Sequence, residues 1–487
     1  MPKADSQKHN LRIYDFSSAF LIAVLAASIR FYYLATGQFE LSFDEAQYWT
    51  WSKNLDWGYY SKPPVIAWII AATTNLCGNG EACIKLASPI LHSFTAIFIF
   101  LIAKKLYNPE TAFWSAITYL FLPAVTLSSA FISTDAPLMF FWAAALYCFV
   151  NAIDGFSYKW WGFLGLVCGL GMMSKYTMLV FLPSSFIYLS ATITNRHYIR
   201  GLHLWSAIFL ALLIFTPNLI WNYINNFVSF SHTGDNVFSY GISFYPNEVL
   251  EFVSAQLIVF GPILFPIIIW CFIRTSAFWQ DERKCLLISF SLPLLSVAVL
   301  ISLLSSAQAH WAAPVYIAGT ILVVRFLLEK KRPVALELSL IIHVILAILF
   351  YYFHIFEPFI PLKNNPFLRL HAWNRISASA SYALNEYPGS LLASDERKAV
   401  ASLMYNLRLA DGTPYTVLKW NGDKVINDYY DMTSDMNFYK NRDYIFISRS
   451  PDISYLSKQV ESYEKIRELS ISSMKFYIYH INNFKGY

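Results

Sequence analysis

Eleven apolar stretches, each long enough or nearly long enough to cross a bilayer, occupy most of the first 360 residues of this chain. They fall at 14–36, 82–103, 110–130, 137–153, 160–174, 177–194, 204–221, 249–273, 286–304, 311–328 and 335–356. A spanning helix needs about 20 apolar residues. A twelfth stretch, 64–77, is too short for a crossing and suits an interfacial or re-entrant helix. Hydrophobic residues make up 56% of the 487 and charged residues only 14%, against roughly 25% charged in an ordinary soluble domain. That excludes a cytosolic enzyme, a disordered chain and a small disulfide scaffold. The expected fold class is a polytopic α-helical membrane protein with about 11 transmembrane helices and a small C-terminal α/β soluble domain. Aromatics at 18% suit belts at the two membrane edges.

Charge sets the topology. If 64–77 does not cross, one side receives Lys3, Lys8 and Arg12, then Lys104 and Lys105, Lys159, Arg196 and Arg200, Arg274 with Arg283 and Lys284, and Lys330, Lys331 and Arg332. The positive-inside rule makes that side cytoplasmic. If 64–77 did cross, every later basic loop would move outside. The N-terminus is therefore expected inside, in a cytoplasmic (inner) membrane of bacterial type, and the C-terminus outside. The first apolar stretch has no small-residue cleavage site after it and reads as an uncleaved span.

Past Pro361 the composition turns polar and mixed in charge, so 1–362 is expected to be the membrane domain and 363–487 an extracytoplasmic domain. "SLLASDERKAVASLMYNL" reads as a strand, an N-cap at Ser394 or Asp395, and an amphipathic helix. "PYTVLKW", "DYIFISR" and "MKFYIYHI" read as strands. The net charge of +5 forms no basic patch, so membrane lipids are expected as partners and nucleic acid is not. The six cysteines contain no C-x-x-C pair. Cys148, Cys168, Cys271 and Cys285 sit in or beside apolar runs and read as small core residues.

The outer loops hold few charges, and these gather in short motifs: "FDEAQYW", "LDWGYYSKPP", "STDAPL", "SKYT", "WNYINNFVSFSHTGDN" and "AQAHWAAP". Polar groups at the edges of apolar spans are costly and usually functional. Asp44 and Glu45 are adjacent carboxylates, with Tyr48 one helical turn beyond Asp44. Such a carboxylate can take a proton from a hydroxyl or hold a metal, and Asp44 can equally cap the helix that follows. Lys62 precedes Pro63–Pro64 and is placed for a lipid phosphate or for snorkelling to headgroups. Lys175 offers the same two readings, and the two lysines together suit a phosphate. Asp135 caps the next helix or binds a ligand. His232 and His310 are lone interfacial histidines without metal-ligand spacing. Cys77 and Cys83 flank a glycine-containing loop and form either a disulfide or two free thiols.

In this order, "DE" after the first span, an aromatic stretch ending in "KPP", "TDAP", "SKYT", "PNLIWN…VSF" and "HWAAPVY" resemble the lipid-linked-sugar glycosyltransferases of the GT-C fold. The resemblance is nearest to glycosyltransferase family 83, which includes the aminoarabinose transferases of lipid A, and extends to the protein mannosyltransferases. It implies an integral-membrane enzyme, most simply inverting, that moves a sugar from a polyprenyl-phosphate donor to an envelope lipid or glycan such as lipid A or lipopolysaccharide. It implies catalytic roles for Asp44, Glu45 and Asp135 and contact to the carrier phosphate from Lys62, to which the residues themselves add Lys175 as the second phosphate-binding lysine. Tyr48, Tyr60 and His310 are the substrate-binding candidates beside them. Aminoarabinose transferases carry a metal-associated glutamate just before that first lysine. Here the position is Ser61, which leaves a divalent metal cofactor, and the sugar, open.

Two other outcomes stay open from the residues. One is a protein O-mannosyltransferase-like enzyme. The other is a lipid or sugar transporter, which should show internal repeats and polar residues at mid-membrane. Here the polar residues gather at one surface, and His92 and His343 are the main ionisable groups deep within spans.

Overall fold

The computed structural model describes residues 14–37, 40–155, 157–238, 241–274, 279–356, 372–471 and 474–487. Lys3, Lys8 and Arg12, and the expected domain boundary at 362/363, lie outside them. The chain divides into two compact units. The first comprises Met1–Tyr33, Lys62–Ile66 and Lys85–Phe353, and the second Leu34–Ser61, Ala67–Ile84 and His354–Tyr487. The second unit thus takes in most of the segment between the first two long apolar helices as well as the C-terminal part of the chain.

The regular secondary structure of the first unit's described residues is all helical. Six helical stretches are long and apolar enough to cross a membrane: Phe16–Ala35, Glu81–Leu106, Asp135–Asp154, Leu202–Ile224, Glu282–Leu304 and Pro333–Tyr351. The other five expected spans are also largely helical, but shorter or interrupted, and two of the interruptions have a plain local cause. Leu122 leaves the helical region before Pro123, separating Pro109–Phe121 from Pro123–Ser128. Gly261 takes a φ of +104° before Pro262, between Pro246–Val259 and Leu264–Ile273. A side chain there would strike the His343 ring, 2.1 Å from a Cβ at that position, so only glycine serves. Gly165 is required by a close approach: a Cβ would come 2.6 Å from the Ala207 carbonyl of the Leu202–Ile224 helix. That helix turns Leu202, Phe209 and Ile224 outward, the apolar surface a lipid-facing helix presents. His92 is a satisfied packing residue, with Nδ1 2.9 Å from the Tyr119 hydroxyl and Nε2 2.9 Å from Ser128 Oγ.

The second unit is an α/β body on a five-stranded sheet of order β2-β1-β3-β5-β4. The strands are β1 (Leu391–Ser394), β2 (Val417–Lys419), β3 (Arg442–Ser448), β4 (Ser462–Ile471) and β5 (Met474–Phe484). β1 runs parallel to β2 and β3, and β5 runs antiparallel to β3 and β4. Tyr444, Phe446, Ile481 and Phe484 are fully buried in its core. The helix after β1 spans Arg397–Asn406, and its N-cap is Glu396, not Ser394 or Asp395. Those two are engaged elsewhere: Ser394 Oγ donates to the Ile447 carbonyl, and the Asp395 carboxylate accepts from Ser448 and Tyr455.

The segment after the first apolar helix is built into this unit through the helix Phe43–Ser52. Trp49 and Trp51 are completely buried. Trp49 meets the Tyr405 ring edge-on at 5.1 Å and donates Nε1–H to Asn79 Oδ1 at 3.0 Å. Trp51 stacks on Tyr59 at 4.5 Å. A disulfide joins Cys77 to Cys83 with their Cα atoms 5.8 Å apart.

Candidate functional site

Within the first unit, four of the singled-out residues converge. Asp135 opens the helix Asp135–Asp154, whose N-cap is Thr134 without a side-chain bond, so its carboxylate is not a cap. Lys175 leaves the end of the Tyr158–Met172 helix in extended backbone, at φ −160° and ψ 135°. That geometry carries its ammonium to Asp135, with Nζ 2.6 Å from Oδ1. The pair is largely buried, with side chains 13% and 17% exposed. His310 comes to the other oxygen, its Nε2 3.8 Å from Asp135 Oδ2. Lys62 is near enough to act electrostatically on Asp135 and His310. Its segment is tied to the same place, because Val65 N–H donates to the Met173 carbonyl at 3.1 Å, two residues before Lys175.

The electrostatics of this cluster are cationic. Three basic side chains surround one carboxylate. Desolvation by the surrounding protein lowers the His310 pKa from 6.5 to about 4; Asp135 opposes this, while Lys175 and Lys62 push it further down. His310 is therefore neutral near pH 7, and the two lysines outweigh Asp135 by one charge. An ammonium has three N–H donors, so Lys175 keeps donors for a ligand while bound to Asp135. The donor set suits a phosphate. It does not suit a divalent cation: among the described residues no three His, Cys, Asp or Glu gather as metal ligands, and the carboxylate here already holds an ammonium.

Supporting residues to which the sequence assigns no role hold this arrangement. Tyr176, next to Lys175, donates its hydroxyl to Asn218 Oδ1 at 3.2 Å and accepts from Asn222 Nδ2 at 3.3 Å. Asn218 and Asn222 are fully buried in the Leu202–Ile224 helix. Gln256, also fully buried, donates to the Ala309 carbonyl at 3.2 Å, and Tyr316 donates to Gln256 Oε1. The short turn Ala309–Ala312 that carries His310 is thereby anchored. The available signal was a lone amide inside an apolar run, which is expensive unless hydrogen-bonded.

Within the second unit, Asp44 and Glu45 divide in role. The N-cap of Phe43–Ser52 is Ser42, and Glu45 completes a capping box, its carboxylate accepting from Ser42 N–H at 2.9 Å. Glu45 is 1% exposed. Asp44 does not cap; it is 49% exposed and pairs with Arg397, Nη1 to Oδ1 3.1 Å. Tyr48 is buried against Trp51 at 5.1 Å, and Tyr60 is half-buried. His232 lies on the helix Val228–Val237 of the first unit, its Nε2 2.9 Å from Asn236 Nδ2.

Known proteins share both pattern and fold. Residues 61–221 match the family model described as dolichyl-phosphate-mannose-protein mannosyltransferase. The chain is 37% identical over 368 residues to a lipid A galacturonosyltransferase, RgtD, of Rhizobium johnstonii, covering 75% of this chain and 77% of that one. Over 130 residues it is 28% identical to an undecaprenyl phosphate-alpha-4-amino-4-deoxy-L-arabinose arabinosyl transferase of Pseudomonas fluorescens, 26% of this chain and 24% of that one. Its fold is similar to the crystal structure of ArnT from Cupriavidus metallidurans bound to undecaprenyl phosphate. The TM-score is 0.63 at 13% identity, over 94% of this chain and 97% of that one.

Proposed function

Because the chain belongs to the GT-C family of membrane glycosyltransferases, we propose that it transfers a sugar from a polyprenyl-phosphate donor to a lipid A-type glycolipid on the outer face of the cytoplasmic membrane. The observation that carries this reading is the 37% identity, across three-quarters of the chain, to a lipid A galacturonosyltransferase. The arabinosyl transferases match only about a quarter of it. The donor sugar is accordingly read as a hexuronic acid, and Ser61 in place of the aminoarabinose-type glutamate agrees with that. In this reading the N-terminus is cytoplasmic and 363–487 is extracytoplasmic, as the alternation of basic loops supports.

The chemistry follows from the charges. Breaking the sugar–phosphate bond builds positive charge on the sugar and negative charge on the departing phosphate. Lys62 and Lys175 stabilise that phosphate with charge-assisted hydrogen bonds. Asp135 holds Lys175 in place and keeps the cluster from over-accumulating positive charge. The acceptor hydroxyl loses its proton to Asp44 as it attacks, and Glu45 supports Asp44 by closing the first turn of their helix. Tyr60 in the second unit and His310 in the first are each read as sugar contacts, whereas Tyr48, buried against Trp51, supports its own helix. One displacement inverts the anomeric carbon.

Mass spectrometry of lipid A from cells with and without this chain tests the proposal. The expected result is one uronosyl residue per lipid A that disappears when the chain is deleted and returns on complementation. Identical lipid A in both strains, with an intact donor pool, would overturn it.

A further inference from the structure

Asp44 is fixed by a residue 353 positions away. Arg397 Nη1 stands 3.1 Å from Asp44 Oδ1 and also donates to Gln47 Oε1. The guanidinium lies over the Phe43 ring, 5.3 Å from its centroid, and the Lys398 ammonium lies over the same ring at 4.7 Å. Phe43, Asp44 and Gln47 thus present one side of a helix to one guanidinium. The other carboxylate nearby, on Glu45, is turned to Ser42 in the capping box.

The element that delivers Arg397 is rigid. β1 is hydrogen-bonded on both sides, in register with β2 and β3. The helix Arg397–Asn406 follows it directly and is buried along Ala399–Tyr405. Tyr405, two turns past Arg397, packs against Trp49, so Arg397 meets the Asp44 helix at a fixed height. Among the described residues Arg397 engages only Oδ1 of Asp44 and leaves Oδ2 without a hydrogen bond or ion pair.

We infer that Arg397 is a positioning residue: through it the C-terminal domain sets the orientation of the Asp44 carboxylate, and the domain is a working part of the transferase. The inference rests on the reading of Asp44 as proton acceptor. A guanidinium stacked on Phe43 and bonded to Gln47 presents Nη1–H to Asp44 Oδ1 from a set direction, whereas an ammonium on a flexible stem supplies charge alone. Held at Oδ1, Asp44 offers Oδ2 to the acceptor hydroxyl. This role was hidden in the sequence, where Arg397 is one charge in a solvated-looking "DERK" run.

The test compares Arg397→Ala, Arg397→Lys and Asp44→Asn in the full-length protein, reconstituted in proteoliposomes with polyprenyl-phosphate galacturonic acid and lipid A. Arg397→Ala should lower kcat roughly ten- to hundredfold, the scale of one charge-assisted contact, with the donor KM unchanged. Low concentrations of guanidinium should restore part of the rate, and Arg397→Lys should lie between Ala and wild type. A purely structural arginine would change yield and unfolding temperature without guanidinium rescue or a selective loss in kcat, and that result overturns the inference. Wild-type turnover in Arg397→Ala beside an inactive Asp44→Asn overturns the role of Arg397 alone. Wild-type turnover in Asp44→Asn removes Asp44 from the chemistry, and Arg397 with it. If the Ala variant does not fold, Arg397→Gln keeps the packing on Phe43 and carries the same expectation, and wild-type turnover in it is equally fatal.

Discussion

Breaking the Asp135–Lys175 pair should separate stability from catalysis. At 2.6 Å the two charges attract by roughly 6 kcal/mol at an effective dielectric near 20. Desolvation of two largely buried groups offsets most of that, so the pair itself adds little net stability. Removing one partner differs, because the other remains buried and uncompensated, at a cost of about 3–5 kcal/mol. Lys175→Met and Asp135→Asn should therefore each lower the unfolding temperature in detergent clearly. The double variant carries no orphaned charge and should recover most of the loss. Activity should follow a different order. Lys175→Met and the double variant both lack the ammonium assigned to the carrier phosphate, and both should transfer sugar at least tenfold more slowly, the loss expected from one charge-assisted contact of about 1.5 kcal/mol or more. The assay pairs thermal unfolding with transfer kinetics on the same preparations. A double variant as unstable as the two single losses combined would refute the uncompensated-charge argument. A double variant with wild-type transfer would make the pair a packing device.

Lys62→Ala should raise the donor KM or lower kcat roughly ten- to hundredfold, with Lys62→Arg milder because it keeps the charge; steady-state kinetics with varied donor would show this. Reducing the Cys77–Cys83 bridge, or replacing both residues with Ser, should cost about 2 kcal/mol, the chain-entropy value for so short a loop; a thiol-alkylation mass shift seen only after reduction checks the bond, and unfolding with and without reductant checks the cost. His310 has a folded pKa lowered to about 4 from 6.5, so the unfolded chain takes up its proton first as pH falls. Its contribution to stability is full above about pH 6.5 and is lost progressively between there and pH 4. His310→Gln should therefore flatten the fall in unfolding temperature over that window, and an unchanged slope would contradict the assignment.

Much of this was legible from residue order alone, and the misses have physical reasons. All eleven apolar stretches are helical over most of their length, because a backbone in lipid must satisfy its own hydrogen bonds and continuous apolar runs of this length do so as helices. The strands at 391–394, 417–419, 442–448 and 474–484 follow from alternating or buried apolar runs. β4 escaped notice because "SYEKIRELSI" is an edge strand rich in charge, which protects an edge and erases the apolar signal. At the helix Phe43–Ser52, Asp44 has the residue type of a cap, but Ser42 has the partner that counts, Glu45 three positions on. Asp135 and Lys175 were both singled out, yet their pairing spans 40 residues and depends on how two helix ends meet. Asn218, Asn222 and Gln256 show in the sequence only as amides inside apolar runs, and their partners, like the partner of Arg397, come from tertiary contacts.

The central claim is sugar transfer from a polyprenyl phosphate to a lipid A-type acceptor, and purified components test it most directly. The full-length protein in proteoliposomes, given polyprenyl-phosphate galacturonic acid and lipid A, should yield lipid A heavier by one uronosyl residue together with free polyprenyl phosphate, and Lys62→Ala and Asp44→Asn should each cut that yield sharply. Donor left intact by wild-type protein that is demonstrably folded, across uronic acid, aminoarabinose and neutral hexose donors alike, would contradict the account.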